Sequence, residues 1–121
     1  ESLNYDTICI EAAVSVKSVA TGLKMAYMFG AIMGELMYDD TEIVEVHPLK
    51  WQGFIGNNNF TKAEKQAVKD EFPGKSEAWY KNKVRELRKQ KTIKFASTLG
   101  VETENDNVAD AVGIAWWGSN E

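Results

Sequence analysis

The chain has 121 residues, 44% of them apolar, which suits one domain built on one modest core. Eighteen acidic and fourteen basic residues leave a net charge of −4, a total that by itself argues against a nucleic-acid partner. A single cysteine, Cys9, excludes an internal disulfide framework and any multi-cysteine zinc site.

The segment Tyr5 to Glu11 is short, β-branched and apolar, and predicts a buried strand that ends in a carboxylate. From Ser18 to about Met37 the apolar positions follow helical spacing. Gly22, Ala26, Gly30 and Gly34 add a small-residue stripe to that helix. Glycine inside a helix costs about 1 kcal/mol relative to alanine, so the stripe predicts close approach of another backbone. Residues 25–34 form the longest uncharged apolar run, about half of a bilayer crossing. No membrane span and no secretory signal are expected, and the chain reads as a soluble protein of the cytoplasm.

Ile43 to His47 predicts a second strand, stopped by Pro48. Residues 50–60 read as a loop with Trp51, Phe54, Phe60 and the triplet Asn57-Asn58-Asn59. Thr61 with Glu64 three residues on forms a capping-box signature, and the helix it opens should end before Pro73-Gly74. Ser76 should cap a longer helix to about Leu99, with Gly100 as its stop. Asn105 or Asp106 should cap a last helix through Trp117, stopped by Gly118. No internal repeat, low-complexity tract or linker interrupts this order, so residues 1–121 read as a single α/β domain.

Charge is unevenly spread. Between Lys62 and Lys94 eleven basic residues face five acidic ones, a surplus of six, while the remainder carries a deficit of ten. The window predicts a basic face for a polyanion, with Lys69, Arg85, Arg88 and Lys89 among its contacts; the plainer alternative is ordinary solvated helix surface. Trp51, Phe54 and Phe60 offer stacking surfaces for unpaired bases, against the plainer reading of core filling.

The carboxylates lie at the two ends. Glu11 closes an apolar strand, where a carboxylate needs a partner or a cation. Asp106 and Asp110 are four apart, and Asn107 and Asp110 three apart, so either pair shares a helix face. Hard oxygen ligands of this kind suit magnesium or manganese. Asp106 can equally be an N-cap, and Asp110 a first-turn residue near the helix dipole. Cys9 in mid-strand reads as a small hydrophobe and His47 as a strand-end residue, with no nucleophile–base spacing beside them.

Residues 8–32 (ICIEAAVSVKSVATGLKMAYMFGAI) resemble the second catalytic block of RuvC-type Holliday-junction resolvases, where a strand ends in Ile-Glu and a small-residue helix follows. Residues 44–68 (VEVHPLKWQGFIGNNNFTKAEKQAV) are similar to the family's next strand, glycine loop and lysine-bearing helix. Residues 106–115 (DNVADAVGIA) resemble its C-terminal motif, in which Asp-Ala opens a helix one turn after a further ligand. The three blocks stand in family order, and the likeness is nearer to phage members than to cellular enzymes. It implies a ribonuclease H-like fold and a Mg2+- or Mn2+-dependent endonuclease that cuts branched DNA as a homodimer, in the bacterial cytoplasm. Glu11 and Asp110 would be metal ligands, with Asn107 or Asp106 completing the shell. Lys50, Lys62 and Lys65 fall where the family places cations near the scissile phosphate.

The sequence from Glu1 on begins after the point where the resemblance expects the family's first block, a hairpin strand carrying an essential aspartate. Asp6 does not replace it, being at the far end of the Glu11 strand and on its opposite face. The resemblance therefore implies a fold truncated at its N-terminus, as a fragment or naturally, with a metal cluster short of one ligand. A non-catalytic DNA-binding module, or a remnant that self-associates through an open sheet edge, stands as the alternative.

Overall fold

The computed structural model describes residues 7–12, 18–36 and 42–120. Tyr5, Asp6 and Met37, which the sequence reading used, lie outside the described residues. The chain divides into two compact units, Glu1–Pro48 and Leu49–Glu121.

In the first unit β1 (Thr7–Glu11) and β2 (Glu42–Val46) pair in parallel, in continuous register from Thr7 opposite Glu42 to Glu11 opposite Val46. Parallel neighbours cannot be joined by a tight hairpin. The helix α1 (Val19–Leu36) lies between them in sequence and makes the order β-α-β. Side-chain alternation sets Thr7, Cys9 and Glu11 on one sheet face beside Glu42, Val44 and Val46. Burial, and then the nearby Glu42 carboxylate, push the Cys9 thiol above its ordinary value, which suits a packing residue rather than a nucleophile.

Two expectations for this unit change. The first strand is half-buried at Ile8, Cys9 and Ile10 and exposed at both ends, because two strands cover less of one another than a full sheet would. The small-residue stripe of α1 meets no close backbone among the described residues: a Cβ at Gly30 or Gly34 would find nothing within 4 Å. Val19, Leu23 and Tyr27, one turn apart, are likewise exposed. No helix among the described residues is long and apolar enough to cross a membrane.

The second unit is helical. Residues expected to form a loop instead open as α2 (Pro48–Phe54). The proline that ends a strand has its φ already set for the first turn of a helix, where its missing N–H is no loss. Thr61 caps α3 (Lys62–Glu71) with both hydrogen bonds of a capping box, its hydroxyl accepting from the Glu64 N–H and its own N–H donating to the Glu64 carboxylate. Ser76 caps α4 (Glu77–Thr98) by accepting from the Trp79 N–H, and Gly100 at φ 87° follows its end. Asn105, not Asp106, caps α5 (Asp106–Ser119), accepting from the N–H groups of Asn107 and Val108. That helix runs through Gly118 to Ser119, because Gly118 keeps a negative φ and so does not form the left-handed stop that glycine can supply.

The core of this unit follows a period of four. Tyr80, Thr92 and Ala96 are buried on α4, and Ala109, Gly113 and Trp117 on α5. Trp51 from α2 is fully buried, its ring lying over the Cα of Gly113. Trp51 therefore has no free face for a base, which corrects its reading as a stacking residue. Phe54, expected in the core, is half exposed.

The capping box makes a pH-dependent contribution. The backbone N–H of Thr61, and then its hydroxyl, hold the Glu64 carboxyl below the ordinary glutamate value. A depressed carboxyl stabilises the fold above its unfolded pKa, and that contribution is lost as pH falls through the folded value. Melts of wild type and Glu64→Gln should differ at neutral pH and converge as pH drops below the ordinary glutamate range near 4. Thr61→Ala, which removes the other half of the box, should cost about 1 kcal/mol.

Candidate functional site

Three helices of the second unit bring charge to one place. On α3, Lys65 and Lys69 are one turn apart, and on α4 Lys81, Arg85 and Lys89 recur at intervals of four with Arg88 beside them. Together they line a concavity of about 540 Å³. That volume falls within the range of roughly 300–1,000 Å³ usual for ligand sites. Asp106 and Asp110, a turn apart on α5, line it too, with Glu77, Tyr80, Gln52, Asn57 and Thr92.

Six cations thus stand against three carboxylates, and the excess repels itself until an anion enters. Two contacts partly offset it: Lys69 reaches Glu77 at 3.3 Å and Lys89 reaches Asp106 at 3.5 Å. The side chains of the second pair are 52% and 38% exposed, so solvent screens it to less than about 1 kcal/mol. A phosphate or a cation can displace such a pair readily.

Arg88 has a different task from the other cations. Its Nη1 donates to the Asn59 side-chain oxygen at 2.7 Å, and its Nη2 to Gln52 Oε1 at 2.8 Å and the Asn57 carbonyl at 3.0 Å. The Asn57 amide in turn donates to the Arg88 carbonyl and to Thr92 Oγ1, both at 2.9 Å. A carbonyl only accepts, so this contact also fixes which end of the Asn57 amide faces α4. The network ties the 57–59 segment to α4. Its fork is engaged by protein acceptors, so Arg88 shapes the wall of the concavity rather than offering a free charge to it.

Of the residues singled out by sequence, Lys65, Lys69, Arg85, Arg88, Lys89, Asp106 and Asp110 are brought together here. Lys62 and Asn107 are exposed and do not line the concavity. Asp106 is therefore the partner that shares this wall with Asp110. Lys50 lies over the Trp117 ring, 5.4 Å from its centroid. Glu11 is the exposed last residue of β1, in the first unit. Lys81 belongs to the basic window but was not singled out as a contact, although its spacing of four from Arg85 was the signal. Tyr80, Gln52 and Asn57 gave no such signal.

The Asp106 and Asp110 carboxylates are hard oxygen donors of the type that magnesium and manganese take, and half-buried Asp110 stands among cations that a metal-bound phosphate would need. Among the described residues no group of three His, Cys, Asp or Glu side chains stands ready to hold a metal, so this pair supplies a partial ligand set. No protein family, curated protein or solved structure matches the chain.

Proposed function

We propose that this chain is a metal-dependent endonuclease of the ribonuclease H-like, junction-resolving type, acting on branched DNA. The observation that carries the reading is the placement of Asp106 and Asp110 on the same concavity as six cations. A phosphodiester hydrolase needs both halves of that arrangement: positive charge to hold a polyanion and paired carboxylates at the scissile group.

In this reading Lys65, Lys69, Lys81 and Arg85 hold the DNA backbone, and α3 and α4 set their spacing. Asp106 and Asp110 would hold magnesium or manganese, which when bound supplies an activated water and charge stabilisation at the leaving oxygen. Lys89, 3.5 Å from Asp106, would pass to a phosphate when that carboxylate is engaged. Glu11 keeps its candidate role on the family resemblance alone, as does the homodimer.

A second reading, DNA binding without cleavage, is favoured by the Lys89–Asp106 contact, in which a lysine already neutralises one of the two carboxylates. Incubation with a four-way junction and magnesium separates them. Wild type should cut, and Asp110→Asn should abolish cutting while leaving binding intact. Binding that persists with no cutting at any magnesium concentration supports the second reading. Affinity should also fall steeply between roughly 50 and 200 mM salt, and Lys81→Ala should reduce the log–log slope by about 1. An affinity that ignores salt would sink both readings.

A further inference from the structure

We propose that Phe72 and Trp79, at the turn between α3 and α4, form a stacking site for an unpaired nucleobase of a single-stranded DNA segment. The proposal rests on the nucleic-acid reading of the neighbouring concavity and extends it from phosphates to bases.

The two rings lie 5.4 Å apart at an interplanar angle of 56°, and Trp79 meets Tyr80 edge-on at the same distance. Phe72 and Trp79 are half-buried, so each keeps ring surface toward solvent. That surface is overlain by cations rather than by apolar side chains: Lys83 Nζ lies 5.0 Å from the Phe72 centroid and Lys75 Nζ 5.5 Å from that of Trp79. Lys75 is exposed, and a cation at such a site is held over a ring by roughly 0.5–1 kcal/mol, weakly enough for a base to take its place. Lys83, by contrast, also pairs with Glu86 at 3.7 Å and stays beside the site. The displaced ammonium would then be available to a phosphate of the bound strand.

The turn is held in advance. The Tyr80 hydroxyl donates to the Phe72 carbonyl at 2.6 Å and accepts from the Lys75 N–H at 3.2 Å, so the segment carrying both rings is fastened to α4. Tyr80 also lines the basic concavity, as does Lys69, whose Nζ lies 5.7 Å from the Tyr80 ring. The aromatic corner is therefore continuous with the phosphate-binding wall. A strand whose backbone follows that wall brings a base to Trp79 only if the base is free of a duplex, since paired bases have both faces stacked. Complementary charge beside partly exposed rings under a displaceable lysine fits a single-stranded DNA segment as the occupant.

Fluorescence anisotropy on three ligands tests this: a short oligothymidylate, an abasic strand of equal length, and a blunt duplex. Trp79→Leu, which keeps apolar bulk but removes the aromatic face, should weaken oligothymidylate binding about tenfold. Affinity for the abasic strand and the duplex should stay unchanged, which also reports that the variant is folded. Trp79→Phe should restore most of the loss, and Phe72→Leu should weaken oligothymidylate binding in the same selective way. Equal losses on all three ligands, or no loss on oligothymidylate, would overturn the stacking site while leaving the phosphate reading in place. If wild type binds none of the three, the stacking site fails, and if it binds no four-way junction either, the nucleic-acid reading fails with it.

Discussion

Gly113→Val should unfold the helical unit, and Gly113→Ala should destabilise it by about 1–3 kcal/mol. A Cβ at position 113 would sit 2.6 Å from Cζ3 and 2.9 Å from Cε3 of Trp51, with Ile55 Cδ1 at 3.5 Å. The indole cannot swing outward to make room, because Trp51 is fully buried and packed on its other sides. Alanine gains about 1 kcal/mol of helix propensity over glycine, which the overlap exceeds. Against a total stability of only about 0.05–0.15 kcal/mol per residue, such a loss is large. Urea or thermal unfolding followed by far-UV circular dichroism measures it. The cause can be isolated by pairing the substitution with Trp51→Leu. In that background the clash is gone, and Gly113→Ala should become neutral or mildly stabilising. Equal melting temperatures for wild type and Gly113→Ala would show that Trp51 does not lie over this glycine.

The second large effect concerns Arg88. Truncation to alanine removes three hydrogen bonds from one guanidinium, to Asn59, Gln52 and the Asn57 carbonyl. Bonds to a charged group contribute about 1.5–3 kcal/mol each, but those of one network do not add. Two atoms at the same node, Arg88 Nε and Asn57 Oδ1, are buried with no partner among the described residues, which offsets part of the gain. The net loss for Arg88→Ala should be about 2–4 kcal/mol. Arg88→Lys should recover little, since one ammonium cannot reproduce the planar fork that reaches three acceptors. DNA affinity separates this from a direct phosphate contact. If Arg88 braces the wall, the salt slope of binding by folded Arg88→Lys should match wild type, whereas Lys81→Ala should lower it. A slope lowered by Arg88→Lys while stability is unchanged would return Arg88 to the set of direct contacts.

These two positions also show where sequence reading stops. The starts of α3 and α4 were legible because caps act within four residues, Thr61 with Glu64 and Ser76 with Trp79, and the start of α5 was legible to within one residue, Asn105 or Asp106. The basic wall was legible for a similar reason, since Lys65 and Lys69, or Arg85 and Lys89, share a face by helical period alone. Arg88 lies in the same charged run and reads like its neighbours. Its partners are 29 to 36 residues away, on a segment with no spacing rule to connect it to α4. Gly113 was hidden in the same manner. Reading Trp51 as part of a loop removed the one residue that explains why position 113 cannot carry a side chain.

Sequence by itself determined the α/β character, the Thr61 and Ser76 caps and the Gly100 stop, and the concentration of positive charge between Lys62 and Lys94. Only tertiary structure decided how those parts are used. It placed Asp106 rather than Asn107 beside Asp110 on the concavity, enlisted Arg88 as a brace instead of a free cation, and set the Phe72 and Trp79 rings under Lys83 and Lys75. The physical reason is one of range. Backbone caps and helical periodicity act over a few residues and leave a pattern in the sequence, whereas the direction of a long side chain follows from which distant segment supplies its acceptor or its ring.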